Sequence, residues 1–426
     1  MRRSRSRSRS SREEVQKVQE RRKVVCRSLG GDVYAEVFGD RALTVAELRA
    51  AVKKAVQTPK ACSLSFFEPG GGELAEDALT PDEVNVVLSP RKLLATACSD
   101  GSAALWDAAT GEWYTSFLGH NLSVMSVALS PDCETLATAS SDYTVRLWSV
   151  PRLSWRLTLP GHKSAVLCVN FSGDGARLIS ASSDKTARLW SAGSFGECLG
   201  VLRRHRKAQV CTFVSFSSEC LSVRAGECHH PLQDVSWAAF SPNDEWIVTA
   251  SDDRKAILWD ASSLESQWTL ECQQKPLNCA AFSTDSYHVA LAVRGREVYV
   301  WKLLRKGCTS PGSAKQRLQN SSMVFAVAWS PASTSQLAAA LEDKRVCVWD
   351  AISGERIAYL QGHTGKVFGV SFSDDGRLLA TASADETAKI WNAQTLGCLR
   401  TLEGHNSGLN AVAFAAPDRA DVSAEK

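Results

Sequence analysis

Four of the eight histidines follow a glycine: His120, His162, His363 and His405. For the first three, a hydroxyl residue stands 18 positions on, an aspartate 22 on and a tryptophan 28 on. The sets are His120, Thr138, Asp142 and Trp148; His162, Ser180, Asp184 and Trp190; and His363, Thr381, Asp385 and Trp391. Imidazole, hydroxyl and carboxylate are the parts of a nucleophilic triad, in which histidine takes the hydroxyl proton and the acid orients the ring. That chemistry needs one exposed nucleophile beside an oxyanion site. Several copies at matching intervals argue for architecture instead.

Two further sets are incomplete in the linear sequence. Thr96, Asp100 and Trp106 keep the spacing but have no histidine ahead of them, whereas His405 stands at the far end with no set behind it. Thr249, Asp253 and Trp259 also keep the spacing, with His229 or His230 displaced by a residue or more. Leu291 and Gly295 break the pattern before Trp301, and Ala339 and Asn320 break it before Trp349, where Asp343 is kept. These two segments are expected to be less rigid, or held by apolar packing alone. Metal chemistry is not expected. Cys211, Cys220, Cys228, His229 and His230 cluster, but irregularly and without a CxxC anchor. No glycine-rich phosphate loop or HExxH-type helix is present, so no catalytic residue or cofactor is expected.

The elements that would position these side chains show in the tryptophans. Trp106, Trp148 and Trp190 are 42 residues apart, as are Trp259 and Trp301, and Trp349 and Trp391. The two irregular gaps are 69 and 48 residues. Each tryptophan closes a similar phrase, such as LATASSDYTVRLWS, LISASSDKTARLWS or LLATASADETAKIWN. Short alternating runs at a period of about 40–45 residues are the signature of propeller blades. Residues 91–415 resemble the WD-repeat family, with an insert at about 203–230. The resemblance implies a mainly β chain with a seven-bladed propeller. It also implies that each histidine set is a buried chain, indole to hydroxyl to imidazole to carboxylate. A donor-only indole, a bifunctional hydroxyl, an imidazole and an acceptor can satisfy one another in series.

Strand counting sharpens this. The first repeat lacks its own Gly-His and inner strand, while Gly404-His405 and LNAVAF are surplus after the seventh. Either residues 409–414 complete blade one, uniting Thr96, Asp100 and Trp106 with His405, or VNVVL of residues 84–88 does so. The first reading is preferred, because His405 then has partners.

Ahead of the propeller, residues 23–90 read as a small α+β domain. KVVCRSL and DVYAEVF flank Gly30-Gly31, a hairpin turn. Thr44 and Glu47 form a capping box at the start of a helix on which Val45, Leu48, Val52 and Val56 share a face. SLSFFEP and VNVVL follow. This order resembles a ubiquitin-like fold, here without a terminal diglycine.

The net charge is +3, yet residues 1–23 alone hold ten Arg/Lys and three Glu. The basic character therefore belongs to the tail. Residues 1–22 are expected to be a disordered Arg-Ser-rich arm and residues 416–426 a disordered tail. The arm resembles a short version of the RS segments of splicing-associated proteins. It could contact RNA through residues 1–12, and phosphorylation of its serines would reverse its charge. The basic start has no apolar stretch behind it, and the cysteines are scattered without CxxC pairs. An intracellular protein of nucleus or cytoplasm, with no membrane contact, is expected.

Residues just after the turn aspartates are expected to crowd one rim: Tyr143, Lys185, Arg254 with Lys255, Arg296, and Lys344 with Arg345. They suggest a docking sector for proteins or peptides that are acidic or phosphorylated. The leading function is a non-catalytic interaction scaffold, monomeric within a larger complex, such as one of nuclear RNA processing. The alternatives are a ubiquitin-pathway substrate adaptor and a signalling scaffold like the G-protein beta subunits.

Overall fold

The computed structural model describes residues 22–27, 33–39, 62–67, 83–90, 92–193, 195–203, 235–271, 275–303 and 314–414, with residues 44, 45, 47, 48, 51, 52, 74, 78 and 81. The chain divides into two units, Met1–Arg91 and Lys92–Lys426.

In the first unit, strand Arg22–Arg27 pairs antiparallel with Val33–Gly39 and parallel with Glu83–Pro90. Cys62–Phe67 pairs antiparallel with the outer side of Glu83–Pro90. Thr44 and Glu47 cap each other reciprocally, Thr44 N to Glu47 Oε2 at 3.0 Å and Glu47 N to Thr44 Oγ1 at 3.3 Å. Helical Val45, Leu48 and Val52 are buried with Val24, Cys26, Val37, Phe66 and Val84. The strand carrying VNVVL thus belongs to this sheet, which removes it from blade one. Val56 and the arm of residues 1–12 lie outside the described residues.

The second unit is a ring of seven four-stranded antiparallel sheets. Blade two shows the pattern: Val124–Leu129 innermost, then Thr135–Ser140, Val145–Ser149 and Ser154–Leu159. Blades three to seven begin at Val166, Val235, Leu277, Val324 and Val367. Blade one is assembled from both ends of this unit. Leu409–Phe414 pairs with Leu93–Cys98, which continues into Ala103–Asp107 and Trp113–Phe117. Each inner strand packs against the inner strand of the next blade all the way round.

The sequence explains the gradient across each blade. Second strands are rich in alanine (Ala95, Ala97, Ala137, Ala139, Ala338, Ala339, Ala340), all buried, so adjacent sheets approach closely. Fourth strands are the least buried of each blade, and Ser154, Trp155 and Arg156 on that of blade two are exposed. Polar contacts add to the apolar seam where blade seven meets blade one. Lys92 Nζ pairs with Asp375, Arg400 Nε donates to the Ala109 carbonyl at 3.2 Å, and Phe414 N to Ser371 Oγ at 3.4 Å.

Candidate functional site

The histidine sets are assembled at the blade rims. In blade two, Trp148 Nε1 donates to Thr138 Oγ1 at 2.9 Å. Thr138 Oγ1 lies 2.7 Å from His120 Nε2, and His120 Nδ1 lies 2.7 Å from Asp142 Oδ2. The corresponding distances in blade three are 2.8, 2.7 and 2.8 Å, and in blade seven 3.0, 2.7 and 2.9 Å. Each carboxylate is fixed from two sides. Its Oδ1 accepts from the hydroxyl two residues on (Thr144, Thr186, Thr387), and its Oδ2 also accepts the backbone N–H of Asn121, Lys163 or Thr364.

Electrostatics follow burial. Desolvation lowers the pKa of His120 and His162, and the neighbouring aspartates only partly offset it. Burial also works against the charged forms of Asp184 and Asp385, yet bonds from histidine and threonine hold both far below the usual carboxylate range. Neutral imidazole beside carboxylate fits a chain in which Nδ1–H donates to aspartate and the hydroxyl donates to Nε2. Thr138, Ser180 and Thr381 are fully buried and already accept from indole. No substrate can reach such a hydroxyl, so these sets are not triads. Replacing Thr138 by valine keeps the shape but leaves Trp148 Nε1 and His120 Nε2 unpaired. The expected loss is about 2 kcal/mol in urea unfolding. A loss near zero would mean the chain carries no stability.

Blade one departs from expectation. Trp106 Nε1 meets Thr96 Oγ1 at 2.9 Å, and Thr96 Oγ1 lies 2.8 Å from His405 Nε2 across the closure. Asp100, however, turns to the backbone N–H and hydroxyl of Ser102, at 2.8 and 2.6 Å, and does not reach His405. The imidazole lies instead between Trp106 and Trp113, whose ring centroids are 5.6 and 5.4 Å from it. In blade four, Trp259 Nε1 donates to Thr249 Oγ1 at 2.8 Å, while Asp253 Oδ1 accepts from Lys255 N at 3.0 Å. His229, His230 and the cysteines near them lie outside the described residues.

Blades five and six replace the missing chain with other polar contacts. In blade six the Asn320 carbonyl oxygen accepts directly from Trp349 Nε1 at 3.0 Å, taking the place that Ala339 leaves empty. In blade five Trp301 Nε1 has no partner among the described residues. There the buried Glu297 carboxylate is clamped by Lys275 Nζ at 3.0 Å and by Arg317. Apolar packing alone therefore describes neither blade. Asn320 stands one residue ahead of the usual histidine position, a shift that spacing rules pass over.

The rim residues share one side of the ring. Besides the His–Asp bonds, Ser141 N, Ser183 N and Ala384 N bond to carbonyls at the starts of their own inner strands. The tips of these hairpins have a feature that sequence reasoning missed. Tyr143, Lys185, Arg254, Lys344 and Glu386 all have φ between 69° and 74°, where Gly101 of blade one has 91°. That glycine was the available signal, because L side chains are strained there. Tyr143, Lys185, Arg254, Arg296 and Lys344 are exposed, and Lys255 is half-buried. Arg345 is engaged within its own blade: its guanidinium lies 2.5 Å from Asp343 Oδ2 and 4.2 Å over the Tyr359 ring. Among the described residues there is no group of three potential metal ligands, and no helix long and apolar enough to cross a membrane.

Comparison with known proteins fits this geometry. The family description "WD domain, G-beta repeat" matches residues 111–149, 154–191, 220–260, 312–350 and 354–392. Five segments of the chain thus match WD40 repeats, and the structure closes seven blades into a ring. It is 24% identical over 226 residues to a guanine nucleotide-binding protein subunit beta of Oryza sativa subsp. japonica, covering 50% of this chain and 58% of the relative. A subunit beta of Oryza sativa subsp. indica is 33% identical over the same shares. Eukaryotic translation initiation factor 3 subunit I of Aspergillus niger is 41% identical over 59 residues, 14% of this chain and 18% of the relative. The chain thus spans less than two thirds of the length of these relatives.

Proposed function

We propose that this chain, a propeller of WD40 repeats, is a non-catalytic platform that holds partner proteins on its rim within a larger assembly. The observation that carries this reading is the set of charged hairpin tips. Lys185, Arg254 and Lys344 keep long cationic side chains on left-handed backbone, where glycine is the easier residue. With the exposed Arg296 they form a basic sector on blades three to six. Exposed guanidinium and ammonium groups recognise carboxylates and phosphates through charge-assisted hydrogen bonds, so the partner segment is acidic or phosphorylated. Tyr143 extends the sector with an amphipathic ring. Lys255 belongs to the same sector, but Arg345 contributes less than its position suggests, since Asp343 and Tyr359 occupy it. The relatives' names also support the reading, because each is a subunit.

The backbone supplies a clean test. Changing Lys185, Arg254 and Lys344 together to glycine removes three charges at positions that favour glycine. The melting temperature should hold or rise, since each relieved left-handed residue is worth up to about 1 kcal/mol. Partner capture, read by proximity labelling and pull-down, should fall at least tenfold. A triple variant that captures the same proteins in the same yield would remove the basic sector from the account.

Within this reading, the Arg-Ser arm favours a nuclear RNA-processing assembly with RNA contact through residues 1–12. Labelling with and without residues 1–22 tests that choice. The mixed sheet and capping box of the first unit favour a ubiquitin-like docking module, and with it the second reading, a ubiquitin-pathway adaptor. Ligase or proteasome neighbours in the same labelling would select it.

A further inference from the structure

Blade two carries a feature that neither the histidine sets nor the basic sector uses. A cavity of about 740 Å³ opens beside its outer strand, lined by Glu134, Thr135, Arg152, Trp155 and Arg156 among others. Trp155 is 58% exposed, the most open tryptophan among the exposed large apolar residues. Its counterpart in blade one makes the contrast. Trp113 pairs with Trp106 across the same register that joins Trp155 to Trp148, but Trp113 packs edge-on against Trp106 at 4.7 Å. Trp155 has no ring partner among the described residues. Its Nε1 bonds only to Thr158 Oγ1 at 3.2 Å, which fixes the ring and leaves its faces open.

Two arginines line the same cavity. Arg156 Nη1 donates to Thr135 Oγ1 at 3.1 Å, and Arg152 is set by a bond from its backbone N–H to Ser149 Oγ at 3.3 Å. Among the described residues, neither has a carboxylate partner. An open indole next to two unneutralised planar cations is a pairing suited to an apolar side chain with an acid beside it.

We propose that this cavity is a second docking site, taking a short acidic peptide segment of a partner protein. An aromatic or aliphatic side chain lies on the Trp155 indole, and a neighbouring carboxylate sits between Arg152 and Arg156. Glu134 on the same wall repels a second carboxylate and accepts a donor from the peptide, which sets its direction. Side chains carry the contact more than main-chain pairing does. Register places Leu147 opposite Leu157 and Trp148 opposite Trp155, so Arg156 is an extra, bulged residue, and bulged edges pair poorly with added strands. The site lies on residues separate from the basic sector and does not depend on it.

The test is an array of immobilised hexapeptides in which one aromatic residue and one glutamate are placed at every relative spacing. Copies with glutamine for glutamate and with alanine for the aromatic residue stand beside each. The full chain is expected to be retained by a subset of glutamate peptides at least tenfold more than by their glutamine copies. Trp155→Ala, and Arg152→Ala with Arg156→Ala, should each abolish retention while leaving the melting temperature within a few degrees. The triple glycine variant of the rim should bind as the parent does. Retention by no peptide, or retention that survives the Trp155 and arginine variants, would overturn the proposal. Loss in the rim variant alone would overturn it too, by moving the site to the rim.

Discussion

A chain lacking residues 404–426 is expected to lose blade one as a folded sheet and to melt far below the full-length protein. Leu409–Phe414 is the inner strand of that blade, and Leu409, Ala411, Val412, Ala413 and Phe414 are all buried. Returning those five side chains to water costs on the order of 8 kcal/mol. That is comparable with the whole stability of an ordinary domain. Further losses accompany it. Asn410 Nδ2 bonds to the Val124 carbonyl of blade two at 2.9 Å, and His405 completes the bond to Thr96. The edge of Leu93–Cys98 would be left bare, inviting association with other chains. Calorimetry, with hydrogen exchange at residues 93–98, reads the outcome. An unchanged melting temperature, with those amides still protected, would mean that ring closure contributes nothing.

That closure was legible before any coordinates because it is a matter of counting. A surplus Gly-His and strand at one end answered a deficit at the other. The tetrads of blades two, three and seven were legible for the same reason, since fixed offsets along paired strands place the four side chains together. Direction was what spacing did not convey. Asp100 has the right offset, but it caps Ser102, and nothing in the sequence says which donor a carboxylate will choose. Asn320 carries its amide to Trp349 from one residue outside the pattern, so a rule built on offsets reads a gap where the fold has a bond. Glu297 is legible as a charge but not as a buried one; its cations come from the start of its own blade's inner strand and from the neighbouring outer strand. The left-handed hairpin tips had one clue, Gly101, whose meaning appears only when all the turns are superposed.

These substitutions also indicate what the polar chain is for. Blade six keeps a partner for its indole after losing both hydroxyl and histidine, and blade five keeps a buried carboxylate satisfied after losing its aspartate. The need common to most blades is that a polar group sealed between sheets has a partner, because an orphan costs about 1–3 kcal/mol. The identity of that partner varies. A ring that meets this need by several means is a rigid mount, and its variable parts are the exposed tips of the turns.

Acid should loosen this mount in two stages, beginning with histidine. Burial pushes His405 down to about 4 from an ordinary 6.5. Above pH 6.5 the ring is neutral in both states, and its stabilising contacts are fully present. Between 6.5 and 4 the unfolded chain takes up a proton that the folded one refuses, so stability falls by about 1.4 kcal/mol per pH unit, on the order of 3 kcal/mol in all. Burial lowers His120 and His162 in the same direction and adds to the loss. Below the ordinary carboxylate range a second loss begins. Asp142, Asp184 and Asp385 are held low in the fold despite burial, by hydrogen bonds from threonine and histidine, so their contribution fades as pH drops further. His405→Asn isolates the first stage, because asparagine does not titrate. At pH 7.5 the variant should be the less stable protein, and by pH 4 the difference should shrink by about 3 kcal/mol. Urea unfolding of both proteins at intervals of one pH unit measures this. Parallel curves across that range would show that His405 is not buried in its neutral form.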